Sequence, residues 1–210
     1  MKKLSLVLIA SLVLLTSAYT QGQNLIQNGS FELPGVSFQQ SFGSGSFDMT
    51  SWIVSGSGDV AIMNGPANAG DYGPAKDGSD YLDLSGFGQT HAIVYQDFPT
   101  VPGMQYSLSF YVGSSSYSPA QTIHVFLFED IQGYLLNTTI TPLAPSGNIN
   151  WLREAFTFTA GMNVTRLQFQ DTSSADDNAS YVDNVSVEAV PEPTILLPIG
   201  LISLAFWRRR

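Results

Sequence analysis

The chain has 210 residues, with 8 basic and 17 acidic side chains, a formal net charge of −9 and no cysteine. So acidic a chain repels phosphate backbones, which argues against nucleic acid as a partner. Without cysteine there are no disulfides and no thiol nucleophile.

Lys2 and Lys3 precede an apolar stretch from Leu4 to Leu15, and Thr16-Ser17-Ala18 follows with small residues. This is the order of a secretory signal peptide, residues 1–18, too short and wrongly flanked for a permanent membrane span. Cleavage is expected after Ala18, with Gly22 as the alternative. The next 170 or so residues, 19–190, are enough for one domain with a single core. With both chain ends removed, the basic residues left are Lys76, Arg153 and Arg166 against sixteen acidic ones, a net charge of −13. Such a surface suits solubility and divalent cations.

From Asn24 to Glu188 the pattern is strands throughout. Short apolar alternations are separated by clusters of Gly, Ser, Asn and Asp. Ten strands are predicted: Asn24–Asn28, Asp59–Met63, Tyr81–Leu84, Ala92–Phe98, Gln105–Val112, Thr122–Glu129, Tyr134–Ile140, Trp151–Thr159, Val164–Gln170 and Tyr181–Glu188. The period is plainest in Gln105–Val112, where Tyr106, Leu108, Phe110 and Val112 share a face opposite Ser107 and Ser109. Thr122–Glu129 is apolar on both faces and reads as a central strand, with His124 as a satisfied core residue. His91 reads as a loop residue. Loops are expected at Pro34–Ser51, Asn64–Ser79, Gly113–Ala120 and Thr172–Ser180. Ten strands in one domain imply an all-β, two-layer antiparallel sandwich of jelly-roll type.

On the last strand, Tyr181, Asp183, Val185 and Val187 alternate with Val182, Asn184, Ser186 and Glu188, which places Asp183 on the core side. A carboxylate there needs a partner, because an unpaired buried charge is very costly. Calcium is one candidate, since it takes several oxygen ligands. Hydrogen bonds to backbone or to Arg166 are the other.

Sugar binding needs flat aromatic surface with a few amides and carboxylates. Tyr72, Tyr81, Tyr111, Tyr117 and Tyr134 fall on expected loops or polar strand faces and are the candidates. Trp52 and Trp151 begin apolar segments and read as core. There is no His-Glu-x-x-His, no Gly-x-Ser-x-Gly and no phosphate loop. Pairs such as Asp176-Asp177 arise by chance among so many carboxylates, so no catalysis is expected.

The chain closes on Pro191-Glu192-Pro193, an apolar run from Thr194 to Trp207, and Arg208, Arg209 and Arg210. Two prolines keep their segment extended and accessible to a processing enzyme. The run would reach only ~21 Å as a helix, short of the ~30 Å hydrocarbon core. Terminal arginines favour the cytoplasmic side, placing the preceding chain outside.

Two resemblances follow from these motifs. Residues 191–210 closely resemble the PEP-CTERM sorting signal. That likeness implies recognition by an exosortase, a membrane-embedded cysteine-protease-like enzyme, with cleavage near Pro191, Glu192 and Pro193. It implies transient anchoring in the inner membrane, then delivery to the outer surface or an exopolysaccharide matrix. The second resemblance rests on Asn24-Leu25-Ile26-Gln27-Asn28-Gly29-Ser30-Phe31-Glu32, Asp77-Gly78-Ser79, Gln96, Pro102-Gly103 and Tyr181-Val182-Asp183-Asn184-Val185. Together they resemble the galactose-binding-like jelly rolls of carbohydrate-binding modules. That likeness implies a non-catalytic domain contacting polysaccharide, and a structural calcium held by Glu32 and Asp183 where the first and last strands meet.

Overall fold

A computed structural model describes residues 22–68, 73–87, 92–114, 122–143, 148–172 and 180–191. The signal peptide and the tail from Glu192 onward lie outside the described residues. So do Tyr72, His91, Tyr117, Asp176 and Asp177.

The described residues contain eleven strands: β1 Gln39–Gly43, β2 Ile53–Gly56, β3 Asp59–Asn64, β4 Asp80–Asp83, β5 Ala92–Pro99, β6 Gln105–Ser114, β7 Ile123–Glu129, β8 Gly133–Ile140, β9 Leu152–Thr159, β10 Val164–Asp171 and β11 Ser180–Ala189. One helical turn, α1, covers Gly65–Asn68. The strands form a six-stranded sheet, β1-β3-β4-β11-β6-β9, and a five-stranded sheet, β2-β5-β10-β7-β8. Every pairing is antiparallel. The architecture is the expected jelly-roll sandwich.

The inner faces meet in one core. Ile62, Leu82, Val182, Leu108 and Phe158 come from the first sheet, and Val94, Leu167, Val125 and Leu127 from the second. Trp52 is 1 % exposed. It packs on Phe31 and Phe169 and donates its indole N–H to Asn28 O at 3.0 Å. The alternation read in Gln105–Val112 holds: Tyr106, Leu108, Phe110 and Val112 are buried on the core side.

Three expectations are corrected. Asn24–Asn28 is not a strand. Its place beside β11 is held largely by side chains. Asn24 Oδ1 accepts from Val187 N–H (2.9 Å) and its Nδ2 donates to Val185 O (3.0 Å). On the other side the buried Gln96 amide accepts from Gln27 N–H and donates to Gln27 O. A backbone whose polar groups are met by two amide side chains needs no ladder. The segment thus fills the slot next to β11 beyond β4, which pairs with β11 only at Tyr181 and Val182. Leu25 N–H donates to Val187 O, and Val190 N–H donates to Gln105 O, so both ends of the domain lie side by side.

The second correction is β1, which falls inside the expected loop Pro34–Ser51; the short β2 lies just beyond that loop and is also absent from the ten expected strands. The third is β11, which is not one regular strand. Its pairing with β6 shifts between Asp183 and Ser186, and Asn184 sits at φ 50°. An extra residue in a strand swaps faces beyond it. Val182, Val185 and Val187 therefore point into the main core, while Tyr181 joins a second cluster on the outer face of the six-stranded sheet.

Candidate functional site

Asp183 shares that outer side with Tyr181, yet it is fully buried. The covering element is the loop 73–79. Asp183 Oδ2 accepts from Lys76 N–H (2.7 Å) and Asp77 N–H (2.9 Å), and Oδ1 accepts from Asn184 N–H at 2.6 Å. Glu32 holds the far end of the same loop. Its Oε1 accepts from Ser79 N–H and Asp80 N–H, both at 2.8 Å. Gly78 lies between at φ 67°, where a Cβ would stand 2.3 Å from Glu32 Oε1. Glu32 and Asp183, the two residues expected to share a calcium ion, thus hold the same loop at its two ends. Arg166 is not the partner of Asp183, since it pairs with Asp97.

This clamp is electrostatically incomplete. Loss of solvation pushes the Asp183 carboxyl up to about 7, against the pull of its three backbone N–H donors. Burial likewise raises Asp80, with the Glu32 charge adding to the rise. At neutral pH the position thus favours a proton or a cation. Oδ1 of Asp183 accepts a single bond, so it keeps a lone pair for either. Among the described residues no group of three or more His, Asp or Glu side chains converges. A calcium ion at Glu32 and Asp183 would fill the rest of its shell from backbone carbonyls and water.

The second cluster on this side contains Tyr81, Tyr181, Met63 and Ile149, with Trp151 packed against it. Tyr81 is thus buried, contrary to its expected loop or polar-face position. Trp151 lies outside the main core, with its indole N–H donating to Pro74 O at 3.1 Å. Tyr111 is capped by Lys76, whose Nζ lies 4.7 Å from the ring centre. Tyr81 and Tyr181 are fully buried, while Tyr111 and Trp151 are half-buried.

Phe38, Phe47 and Phe87 are exposed singly, whereas on the other sheet an exposed ring, Tyr134, sits within a cluster of aromatic side chains. In β5, β10 and β7 alternate residues point outward and the registers align them in rows; in β8 a register shift opposite Leu127 and Phe128 brings Asn137 and Tyr134, three residues apart, into the same face. One row runs Tyr95, Gln168, Phe126, Asn137, and the next runs Asp97, Arg166, Phe128, Tyr134. A third runs Ile93, Gln170, His124, Thr139. Tyr134 is 60 % exposed. Its ring centre lies 5.4 Å from that of Phe126 and 5.5 Å from that of Phe128. His124 packs on Phe126 at 4.1 Å and hydrogen-bonds Asn137 through Nε2. So His124 is not a core residue; the sequence placed it correctly on a central strand but on the wrong side of the wall. Phe126, Phe128, Tyr134, Arg166 and Gln168 line a depression of about 200 Å³. A second depression of about 270 Å³ adjoins it through Phe128 and Arg166, lined also by Asp97, Glu129 and Asp130.

Each polar group there has a defined task. Arg166 donates from Nε (2.6 Å) and Nη2 (2.9 Å) to the two Asp97 oxygens, and its guanidinium carbon lies 4.0 Å over the Tyr95 ring. Glu129 is buried, accepting from Gly161 N–H and Thr165 Oγ1. That leaves the Gln168 amide, and the Nδ2 of Asn137 whose Oδ1 is bonded to His124, to address a ligand beside the rings. Of the residues forming this surface, Tyr134 alone was a sugar-contact candidate in the sequence; His124 and Arg166 were singled out there for other roles. Phe126 and Phe128 were hidden by a pattern that also fits a strand buried on both faces.

Solved structures share the fold. TmCBM61 in complex with β-1,4-galactotriose superposes with a TM-score of 0.55 at 13% identity, covering 80% of this chain and 99% of that one. The tandem CBM22-1–CBM22-2 domain of Paenibacillus barcinonensis Xyn10C gives a TM-score of 0.53 at 14% identity, covering 83% of this chain and 48% of the other. In sequence, the chain is 30% identical over 195 residues to Halomucin of Haloquadratum walsbyi. That match covers 90% of this chain but only 2% of Halomucin's length. Residues 24–188, from the first turn to the end of the bulged strand, match the family described as "Protein of unknown function (DUF642)", and the chain belongs to that family.

Proposed function

We propose that this is a non-catalytic domain that contacts polysaccharide with the outward face of the five-stranded sheet. The observation that carries the reading is the exposed ring of Tyr134 beside the half-buried Phe128, both resting on the nearly buried Phe126, with the amides of Gln168 and Asn137 alongside. Aromatic faces accept the C–H surfaces of sugar rings, and amides exchange hydrogen bonds with hydroxyls. Four strands at ~4.8 Å spacing give a surface ~14 Å wide between the outer strand axes, room for an oligosaccharide rather than a single ring. The rings are held by the sheet rather than by a loop, so little ordering is lost on binding.

The same proposal includes export through residues 1–18, exosortase processing of residues 191–210 and release to the cell surface or an exopolysaccharide matrix. Pro191 is exposed immediately after the last described strand, in keeping with an accessible processing segment. Calcium belongs to this reading as a structural ion at Glu32 and Asp183. There it would supply positive charge to a carboxylate that burial disfavours.

Affinity electrophoresis through gels containing plant and bacterial polysaccharides tests the sugar contact. Wild-type protein is expected to be retarded by at least one of them. Tyr134→Ala is expected to weaken that retardation about tenfold, equivalent to ~1.4 kcal/mol. Its melting temperature should barely move, because the ring is largely exposed. Retardation by none of the gels would leave the alternative, a purely structural matrix protein. The match to one short part of Halomucin favours that second reading, since it shows this sequence type inside a far longer chain.

A further inference from the structure

The aromatic surface holds a charge pair whose geometry bears on which polysaccharide it accepts. Three basic residues, Lys76, Arg153 and Arg166, lie within 19–190. Lys76 caps Tyr111, and Arg153 pairs in register with Tyr111 in the six-stranded sheet, so both belong to the other layer. Arg166 is the one cation of the three on the aromatic face. It is already engaged: both Asp97 oxygens take its Nε–H and Nη2–H, in the forked geometry that suits a carboxylate best. Its flat side covers Tyr95. A uronate or sulfate arriving there finds the Nε–Nη2 edge taken, and would have to displace Asp97 or settle for the remaining N–H groups of a guanidinium whose charge is already balanced. It would then face Asp97 itself, Asp130 and the Glu129 carboxylate around the adjoining depression.

Resting on the sugar-contact reading above, we propose that Asp97 makes this surface selective for uncharged polysaccharide by occupying the guanidinium that an acidic glycan would need. Asp97 acts as an internal stand-in for the excluded ligand group. Removing its charge while keeping its shape leaves Arg166 an uncompensated cation beside Phe128 and Tyr134. The surface then gains what acidic glycans require. A pair whose only role was to join β5 to β10 would change stability on substitution but not the order of glycan preference.

The experiment compares wild-type and Asp97→Asn protein by isothermal titration at low ionic strength. The ligands are a set of uncharged oligosaccharides (β-glucan, xylan and galactan) and a set of uronate oligosaccharides (polygalacturonate and alginate). Wild type is expected to bind its best uncharged ligand at least about tenfold tighter than any uronate. Asp97→Asn is expected to tighten uronate binding about tenfold, an effect that added salt removes, as screening requires. Arg166→Gln combined with Asp97→Asn should abolish that gain. If wild type prefers uronates, or if Asp97→Asn leaves the uronate affinity unchanged, the selectivity role of Asp97 is overturned while the sugar-contact reading stands. If no oligosaccharide of either set binds, both are overturned.

Discussion

Asp183 has no solvent around it and three N–H groups aimed at it, yet its acid form is favoured up to about pH 7. The unfolded chain releases that proton near the ordinary value of 3.8. Because the folded pKa is the higher one, the folded state binds the proton more tightly. This group's stabilisation is therefore full in acid and is lost as pH rises from about 4 through about 7. In the presence of chelator, urea unfolding should show stability declining across that window by up to ~1.4 kcal/mol per pH unit. Asp183→Asn should flatten the decline, since it cannot ionise. Calcium should oppose it: a higher melting temperature above neutral pH in wild type, and no such rise in Asp183→Asn. A melting temperature indifferent to calcium and chelator would remove the ion from Glu32 and Asp183. The burial of Asp183 and its need for a partner were legible in the sequence, but its side was not: alternation put it on the core side with Val185 and Val187, whereas the bulge leaves it on the outer side under a loop. The identity of the partner was not legible either, because backbone N–H groups of a loop some hundred residues earlier leave no trace in composition. Tyr81 and Trp151 were misplaced for a related reason. A strand's outer face can be covered by a loop as completely as its inner face is by the opposite sheet.

Among the elements, the joint between the first turn and the bulge in β11 holds the two ends of the fold together. Gly29 O accepts from Val185 N–H at 2.9 Å, and a Cβ on Gly29 would stand 2.1 Å from Val185 O. Gly29→Ala is therefore expected to destabilise by more than ~2 kcal/mol in denaturant titration, because backbone rather than a pliant side chain must move. Asn184, one residue away, occupies the left-handed region. Asn184→Val should cost ~1–3 kcal/mol there while Asn184→Gly is tolerated, a contrast that sheet propensity alone would reverse. Long alternations such as those of β6 and β10 announced themselves in the sequence. β1 did not, because an edge strand reading QQSFG buries only Phe42 and shows no period. β2 has four residues, too few for one. The face swap in β11 was invisible to a rule that counts by twos, although an Asn inside a strand is the residue that tolerates such a bulge.

For the whole molecule, the surplus of acidic over basic side chains sets the terms of any encounter. Electrostatic capture of anionic polymers is disfavoured, so binding through the aromatic face should survive high salt. Mass spectrometry of protein recovered from cells should find the chain lacking Arg208, Arg209 and Arg210. A mature form that keeps them would rule out the sorting proposal while leaving the sandwich and its aromatic face untouched. The sandwich class was plain from the spacing of strands. The side of the sandwich proposed to meet a glycan was not, because an outward phenylalanine and an inward one are the same letter.

The side-by-side position of Leu25 and Val187 has a mechanical consequence. The two segments run in opposite directions, with Gly29 reaching Val185 and Leu25 reaching Val187. Tension applied through residues 22 and 191 therefore meets these bonds one after another, like a zip, rather than all at once in shear. A domain hung this way from a matrix or a membrane would peel from its ends at low force while the rest of the sandwich stayed intact. Single-molecule stretching of the domain between handles at its ends should record an early, low-force release of the first segment before the main rupture.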